Sequence, residues 1–129
     1  MTRYRTELGR ARGLGSAKHG VGSFIAERVS SVAMILLSIW AVWFALGAAR
    51  GGYEGAQALL ASPVNAALAI LTLGVGLYHA MIGMRVVIED YILRTSTKMV
   101  LLILNAFIGW GATAIATVAI LKVTFGVGS

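Results

Sequence analysis

The residues best able to do chemistry in this sequence are a histidine and an Asp-Tyr pair within the stretch LYHAMIGMRVVIEDYI. His79 lies near the middle of an otherwise apolar segment, and Asp90 and Tyr91 lie at its end. An ionisable group in lipid is costly unless something binds it or pairs with it, so it is a functional candidate by default. A neutral imidazole at that depth can ligate a metal, relay a proton, or hydrogen-bond to another helix.

The spacing of these residues indicates one helix face. Asp90 follows His79 by eleven residues, which is about 16 Å of helix and returns to within about 20° of the same face. His79, Gly83, Val86 and Asp90 therefore form one stripe, and Tyr91 projects further round. The small residues Gly74, Gly76, Ala80 and Gly83 along this segment favour close packing by another helix or by a flat ligand.

Metal chemistry at His79 needs ligands that this chain does not supply. The sequence has no cysteine, which excludes cysteine-held zinc and iron–sulfur clusters, and its other histidine, His19, lies in the polar N-terminal tail. A haem with two axial histidines would need its second ligand from a partner subunit. Arg28, just before the first apolar run, is either a membrane-surface anchor or a partner for an anion such as a haem propionate.

The composition indicates a membrane protein. Of 129 residues, 58% are hydrophobic and 12% are charged, against about 25% charged in soluble proteins. The formal charge of +6 comes mainly from the first 28 residues, so membrane orientation explains it better than nucleic-acid binding. The length leaves no room for a separate catalytic domain outside the membrane.

The elements that must position these residues are three apolar runs, each long enough to cross a bilayer of about 30 Å. They predict an all-α membrane protein with a single transmembrane domain, 1–129: an N-terminal cytoplasmic segment 1–28 and helices at about 29–49, 65–90 and 99–125. The paired glycines and the sole proline between the first two runs predict a turn with a short interfacial helix.

The basic residues predict the direction of the helices. Eight basic residues lie before the first span or in the connection between the second and third spans, whereas the other side of the membrane has only Arg50 and Lys122. The positive-inside rule therefore puts the N-terminus in the cytoplasm (or mitochondrial matrix) and the C-terminus outside. The eight on the inner side are Arg3, Arg5, Arg10, Arg12, Lys18, Arg28, Arg94 and Lys98.

Two motifs resemble the hydrophobic membrane-anchor subunit of succinate dehydrogenase, its small cytochrome b subunit. One is HAMIGMRVVIEDY, with a histidine followed by Asp-Tyr at eleven and twelve residues, and the other is ERVSSVAM before the first span. Three helices and a length near 130 residues agree with the resemblance over nearly the whole chain. The stretch GSFIAER departs from it, because many members have an aromatic or histidine residue before the arginine and a glutamine directly before it.

The resemblance implies a respiratory membrane complex in a bacterial inner membrane, or in the mitochondrial inner membrane. It implies that His79 is an axial ligand of haem b, that Tyr91 hydrogen-bonds to ubiquinone, and that Asp90 and Arg28 lie near the quinone or the haem propionates. The implied partners are membrane lipid, a second membrane anchor subunit of the cytochrome b556 type, and soluble iron–sulfur and flavoprotein subunits. The chain itself would be a non-catalytic anchor.

A different class of function remains open on the residues alone. A three-helix transporter or assembly component would use His79 as a packing residue or a proton relay. Fumarate reductase, which runs the reaction in reverse, is a close variant of the first interpretation.

Overall fold

The computed structural model describes residues 6–8 and 20–126, and within them it contains three long helices and no strand. These are α1 (Gly20–Leu60), α2 (Pro63–Tyr91) and α3 (Thr95–Thr124). Each contains an apolar window long enough to cross a membrane, so the predicted all-α, three-span architecture is confirmed. Much of the predicted N-terminal segment 1–28, including His19, lies outside the described residues.

Helix α1 is longer than the predicted span 29–49 at both ends. It starts at Gly20 and extends to Leu60, with a kink at Gly52, where φ is 61° and ψ is −152°. In a straight helix Gly47 and Leu59 would be about 18 Å apart along the axis. Here a Cβ on Gly47 would lie 3.0 Å from Leu59 Cδ1, so the chain folds back on itself after the kink. The predicted turn between the first two spans is therefore a kink at Gly52, after which about two turns of helix continue to Leu60.

Helix α2 starts with Pro63 in its first turn, where proline's fixed φ and missing N–H cause no loss. It ends at Tyr91, and the Ile92 N–H donates to Ile88 O at 3.1 Å. Helix α3 begins only three residues later, at Thr95, instead of near residue 99. Lys98 Nζ donates to Glu89 O at 2.9 Å across this short connection, which fixes the end of α2 against the start of α3.

Helix α2 lies between the other two, packing extensively on both, while α1 and α3 contact each other little. Met81 contributes two contacts between α2 and α3. Its side chain lies against Gly109, where a Cβ would overlap it, and its carbonyl oxygen accepts from Asn105 Nδ2 at 2.9 Å. At the other end of α2, Asn65 accepts from Trp40 Nε1 of α1 at 3.3 Å. Small residues and amides thus join the helices, as expected in lipid.

Candidate functional site

His79 is held by a hydrogen bond between α1 and α2. Its Nδ1 lies 2.9 Å from Ser30 Oγ, a contact that spans 49 positions of sequence. Ser30 is the one buried polar side chain among the described residues, at 5% exposure, and His79 is half-buried. The imidazole is thus anchored through one nitrogen, and Nε2 is left for another partner.

The serine hydroxyl has a second partner. Ser30 Oγ lies 3.0 Å from Glu27 O, one turn earlier in α1. A hydroxyl carries one proton and two lone pairs, so it can donate to Glu27 O while accepting from His79 Nδ1–H. In that arrangement Nε2 carries a free lone pair, which is the state a metal-ligating imidazole needs.

The helix face beside His79 is open. Gly83 lies one turn further along α2, and a Cβ there would meet no atom within 4 Å. A Cβ on Gly76, three residues before His79, would instead lie 3.6 Å from Met34 Sδ of α1. Of the small residues predicted for close approach, Gly76 therefore serves helix packing. Gly83 leaves room beside the histidine for a flat group, so the site fits a haem on this face.

Arg28 lies within α1, two residues before Ser30, and its side chain is exposed. Its Cζ is 5.0 Å from the centroid of the Phe24 ring, in a cation–π contact one helical turn away. No hydrogen bond or ion pair links Arg28 to Asp90 or Tyr91 within residues 20–126. The guanidinium therefore keeps its donors free for an anionic partner near the start of α1.

Asp90 and Tyr91 form the last turn of α2, on the same continuous helix as His79. Both are exposed, and Tyr91 is 79% exposed. Across the described part of the chain, neither side chain hydrogen-bonds to another residue. The structure therefore holds the histidine and the Asp-Tyr pair at two depths, about 16 Å apart along one helix.

A groove of about 340 Å³ runs between the start of α1 and the second half of α2. Arg85, Glu89 and Tyr78 are among its lining residues. Arg85 and Glu89 form an ion pair with 2.8 Å between Nε and Oε1. Sequence reasoning missed this groove and the role of Ser30. The only signal was that Ser30 belongs to the motif ERVSSVAM, because nothing local pairs it with a residue 49 positions later.

The fold and site together define a class, a three-span helical membrane subunit with one intramembrane histidine anchored by a hydrogen bond beside an open helix face. The model of the succinate dehydrogenase/fumarate reductase transmembrane subunit family matches residues 2–126. The chain belongs to that family.

Curated relatives named succinate dehydrogenase hydrophobic membrane anchor subunit agree with this assignment. The protein of Paracoccus denitrificans is 31% identical over 124 residues, 96% of this chain and 95% of its own length. That of Rickettsia conorii is 34% identical over 102 residues, covering 78% of this chain and 81% of the relative. No solved structure matches the chain. With three spans and bacterial relatives, the chain is a multi-pass protein of a bacterial inner membrane.

Proposed function

We propose that this chain is the membrane-anchor subunit of succinate dehydrogenase, and that it helps to bind haem b and forms part of the site where ubiquinone is reduced. The observation that carries the proposal is the 2.9 Å hydrogen bond between Ser30 Oγ and His79 Nδ1. A histidine held through Nδ1 beside an open glycine face has Nε2 available to a ligand.

His79 would hold the haem iron through Nε2, and the partner anchor subunit would supply a second ligand. Gly83 makes room for the flat ring, and Arg28 offers its guanidinium to a propionate. When bound, haem b supplies a one-electron redox centre in the membrane. The flavin and the iron–sulfur clusters reside in other subunits, because this chain has no cysteine to hold a cluster.

Tyr91 and Asp90 serve the quinone at the inner end of α2. The tyrosine hydroxyl is exposed and has no partner in residues 20–126, so it is free to donate a hydrogen bond to a quinone carbonyl oxygen as negative charge develops there. Asp90 lies exposed beside it. Their position at the helix end provides the contact with water that two-proton quinone chemistry requires.

The haem assignment is tested by His79→Ala in the assembled complex. We expect haem b to be weakened or lost while the three spans remain, since the change removes an axial ligand and alanine is a good helix former. The measurements are the haem absorption spectrum, the haem content per flavin and the haem midpoint potential. An unchanged spectrum and potential would contradict the assignment, and a wild-type complex without a Soret band would exclude haem binding while leaving the anchor role intact.

The quinone assignment is tested by Tyr91→Phe, which keeps the ring and removes the hydroxyl. Loss of one well-placed donor to a developing oxyanion costs about 10²–10³ in rate, and less where other donors share the charge. We expect ubiquinone reduction to fall while succinate oxidation by an artificial acceptor that takes electrons upstream is retained. Tyr53→Phe, in an exposed tyrosine beyond the Gly52 kink, is the matched control. Wild-type quinone turnover and affinity in Tyr91→Phe would exclude the hydroxyl from the site.

A further inference from the structure

We infer that Ser30 is a positioning residue for the haem iron, acting through His79: it accepts the hydrogen bond of His79 Nδ1–H, fixes the ligating tautomer and sets the orientation of the imidazole plane. The inference rests on the proposed haem-binding role of His79. It assigns a function to a residue of α1 that itself touches no cofactor.

Burial makes this hydrogen bond difficult to replace. Ser30 is 5% exposed, so water cannot readily replace a lost partner, and an unpaired polar atom here is costly. The hydroxyl has two neighbours, Glu27 O at 3.0 Å and His79 Nδ1 at 2.9 Å. Its single proton can point to only one of them, so the direction in which the hydroxyl donates is coupled to which imidazole nitrogen carries the proton.

Only one of the two arrangements permits ligation. If the hydroxyl donates to Nδ1, the imidazole proton lies on Nε2, and no lone pair there can bind iron. If the hydroxyl donates to Glu27 O, Nδ1 carries the proton and donates to Ser30, and Nε2 is free. In the second arrangement both short contacts of the Ser30 hydroxyl are hydrogen bonds, and His79 gains the outer hydrogen bond that ligating histidines almost always make.

The bond also affects the electronic character of the ligand. A hydrogen bond from Nδ1–H to an acceptor raises the basicity of Nε2, which favours the ferric state and lowers the midpoint potential. Loss of the acceptor should therefore raise the potential. Because Ser30 lies on α1 and His79 on α2, the same contact also links the rotation of the ring to the packing of two helices.

The test uses four variants of the assembled complex. Ser30→Ala removes the acceptor. Ser31→Ala is the matched control, because the Ser31 hydroxyl donates only to Glu27 O, at 2.7 Å, and does not reach His79. Ser30→Thr keeps a hydroxyl. Ser30→Val has nearly the same shape as the threonine variant but no hydroxyl. The readouts are the haem midpoint potential by redox titration, the g-values of the ferric haem by electron paramagnetic resonance, and haem retention during dilution.

We expect Ser30→Ala and Ser30→Val to raise the potential, shift the g-values and weaken haem retention by about 10- to 100-fold. Ser31→Ala and Ser30→Thr should match the wild type. Wild-type potential and g-values in Ser30→Ala would overturn the inference, as would an equal shift in Ser31→Ala. If Ser30→Ala does not assemble, the Thr and Val pair decides. Failure of both to assemble would overturn the inference in favour of a packing role, whereas failure of Val beside a Thr variant with wild-type potential and g-values would support the need for the hydroxyl.

These outcomes are separable from failure of the haem proposal itself. If His79→Ala leaves the haem spectrum and potential unchanged, the ligand assignment fails and the role of Ser30 fails with it. If His79→Ala loses haem while Ser30→Ala keeps the wild-type potential and g-values, only the positioning role fails.

Discussion

The contact between Met81 and Gly109 sets how closely α3 packs on α2, and Gly109→Ala perturbs it with one methyl group. A Cβ at this position would overlap the Met81 side chain, so the thioether or the helix must shift. Overpacking of this kind costs about 1–3 kcal/mol, and alanine's better helix propensity returns about 1 kcal/mol. We therefore expect a net destabilisation of up to about 2 kcal/mol.

The matched control is Gly111→Ala, two residues along the same helix, where a Cβ meets no atom within 4 Å. It should leave stability unchanged or raise it slightly. Met81→Ala supplies the third corner of a double-mutant cycle: once the thioether is gone, Gly109→Ala should no longer destabilise. The expected coupling is about 1–3 kcal/mol, the upper range for residues in contact.

The assay is thermal dissociation of the purified complex, followed by intrinsic fluorescence, with the haem spectrum recorded in parallel. Met81 lies only two residues after His79, so, on the proposed haem-binding role of His79, a displaced α2 should also broaden or shift the haem band. If Gly109→Ala and Gly111→Ala have equal effects, or if Gly109→Ala costs the same with and without Met81, the close packing of α3 on α2 is not what holds α2 in place.

Two further predictions concern a hydrogen bond between α2 and α3 and the kink within α1. Asn105→Leu removes the hydrogen bond to Met81 O and should lower the stability of the complex by about 0.6 kcal/mol, with about 1.7 kcal/mol as the upper bound for such bonds in a membrane; a thermal melt beside wild type checks it, and an unchanged melt contradicts it. Gly52→Ala forces a side chain into a backbone region open essentially only to glycine, so it should cost about 1–3 kcal/mol, whereas Gly51→Ala, with open space at its Cβ, should not. Equal melting temperatures for these two variants would show that the kink does not depend on Gly52.

The three spans could be predicted because the bilayer imposes a length on apolar runs, and that length is visible in the sequence. Helix ends could not, because hydropathy reports where the hydrocarbon layer lies and not where the backbone stops being helical. Residues Gly20 to Arg28 are polar enough to lie in the headgroup layer, yet they continue the hydrogen bonding of α1. The same holds for Thr95 to Lys98 at the start of α3.

The residues of the candidate site also divide into those that could be predicted from the sequence and those that could not. His79, Asp90 and Tyr91 could be selected from sequence because their spacing follows the helix period and their types are rare in apolar segments. Ser30 could not, since serine is common in membrane helices and its significance comes from a tertiary contact. Gly83 and Gly76 have the same residue type and lie on the same helix, but only the position of α1 decides which one packs and which one stays open. The predicted orientation of the termini stays a prediction.

The sparse burial of this chain has a consequence for how the cell must produce it. Among the described residues only Ser30, Ala66, Ile88, Gly109 and Ile120 are buried, so the folded state has little interior of its own and depends on what surrounds it. A binding partner stabilises by mass action, in proportion to the logarithm of its concentration. Chains made in excess of their partners would therefore remain loosely packed and exposed to membrane proteases, and the abundance of this subunit would follow the supply of its partners more closely than its own rate of synthesis.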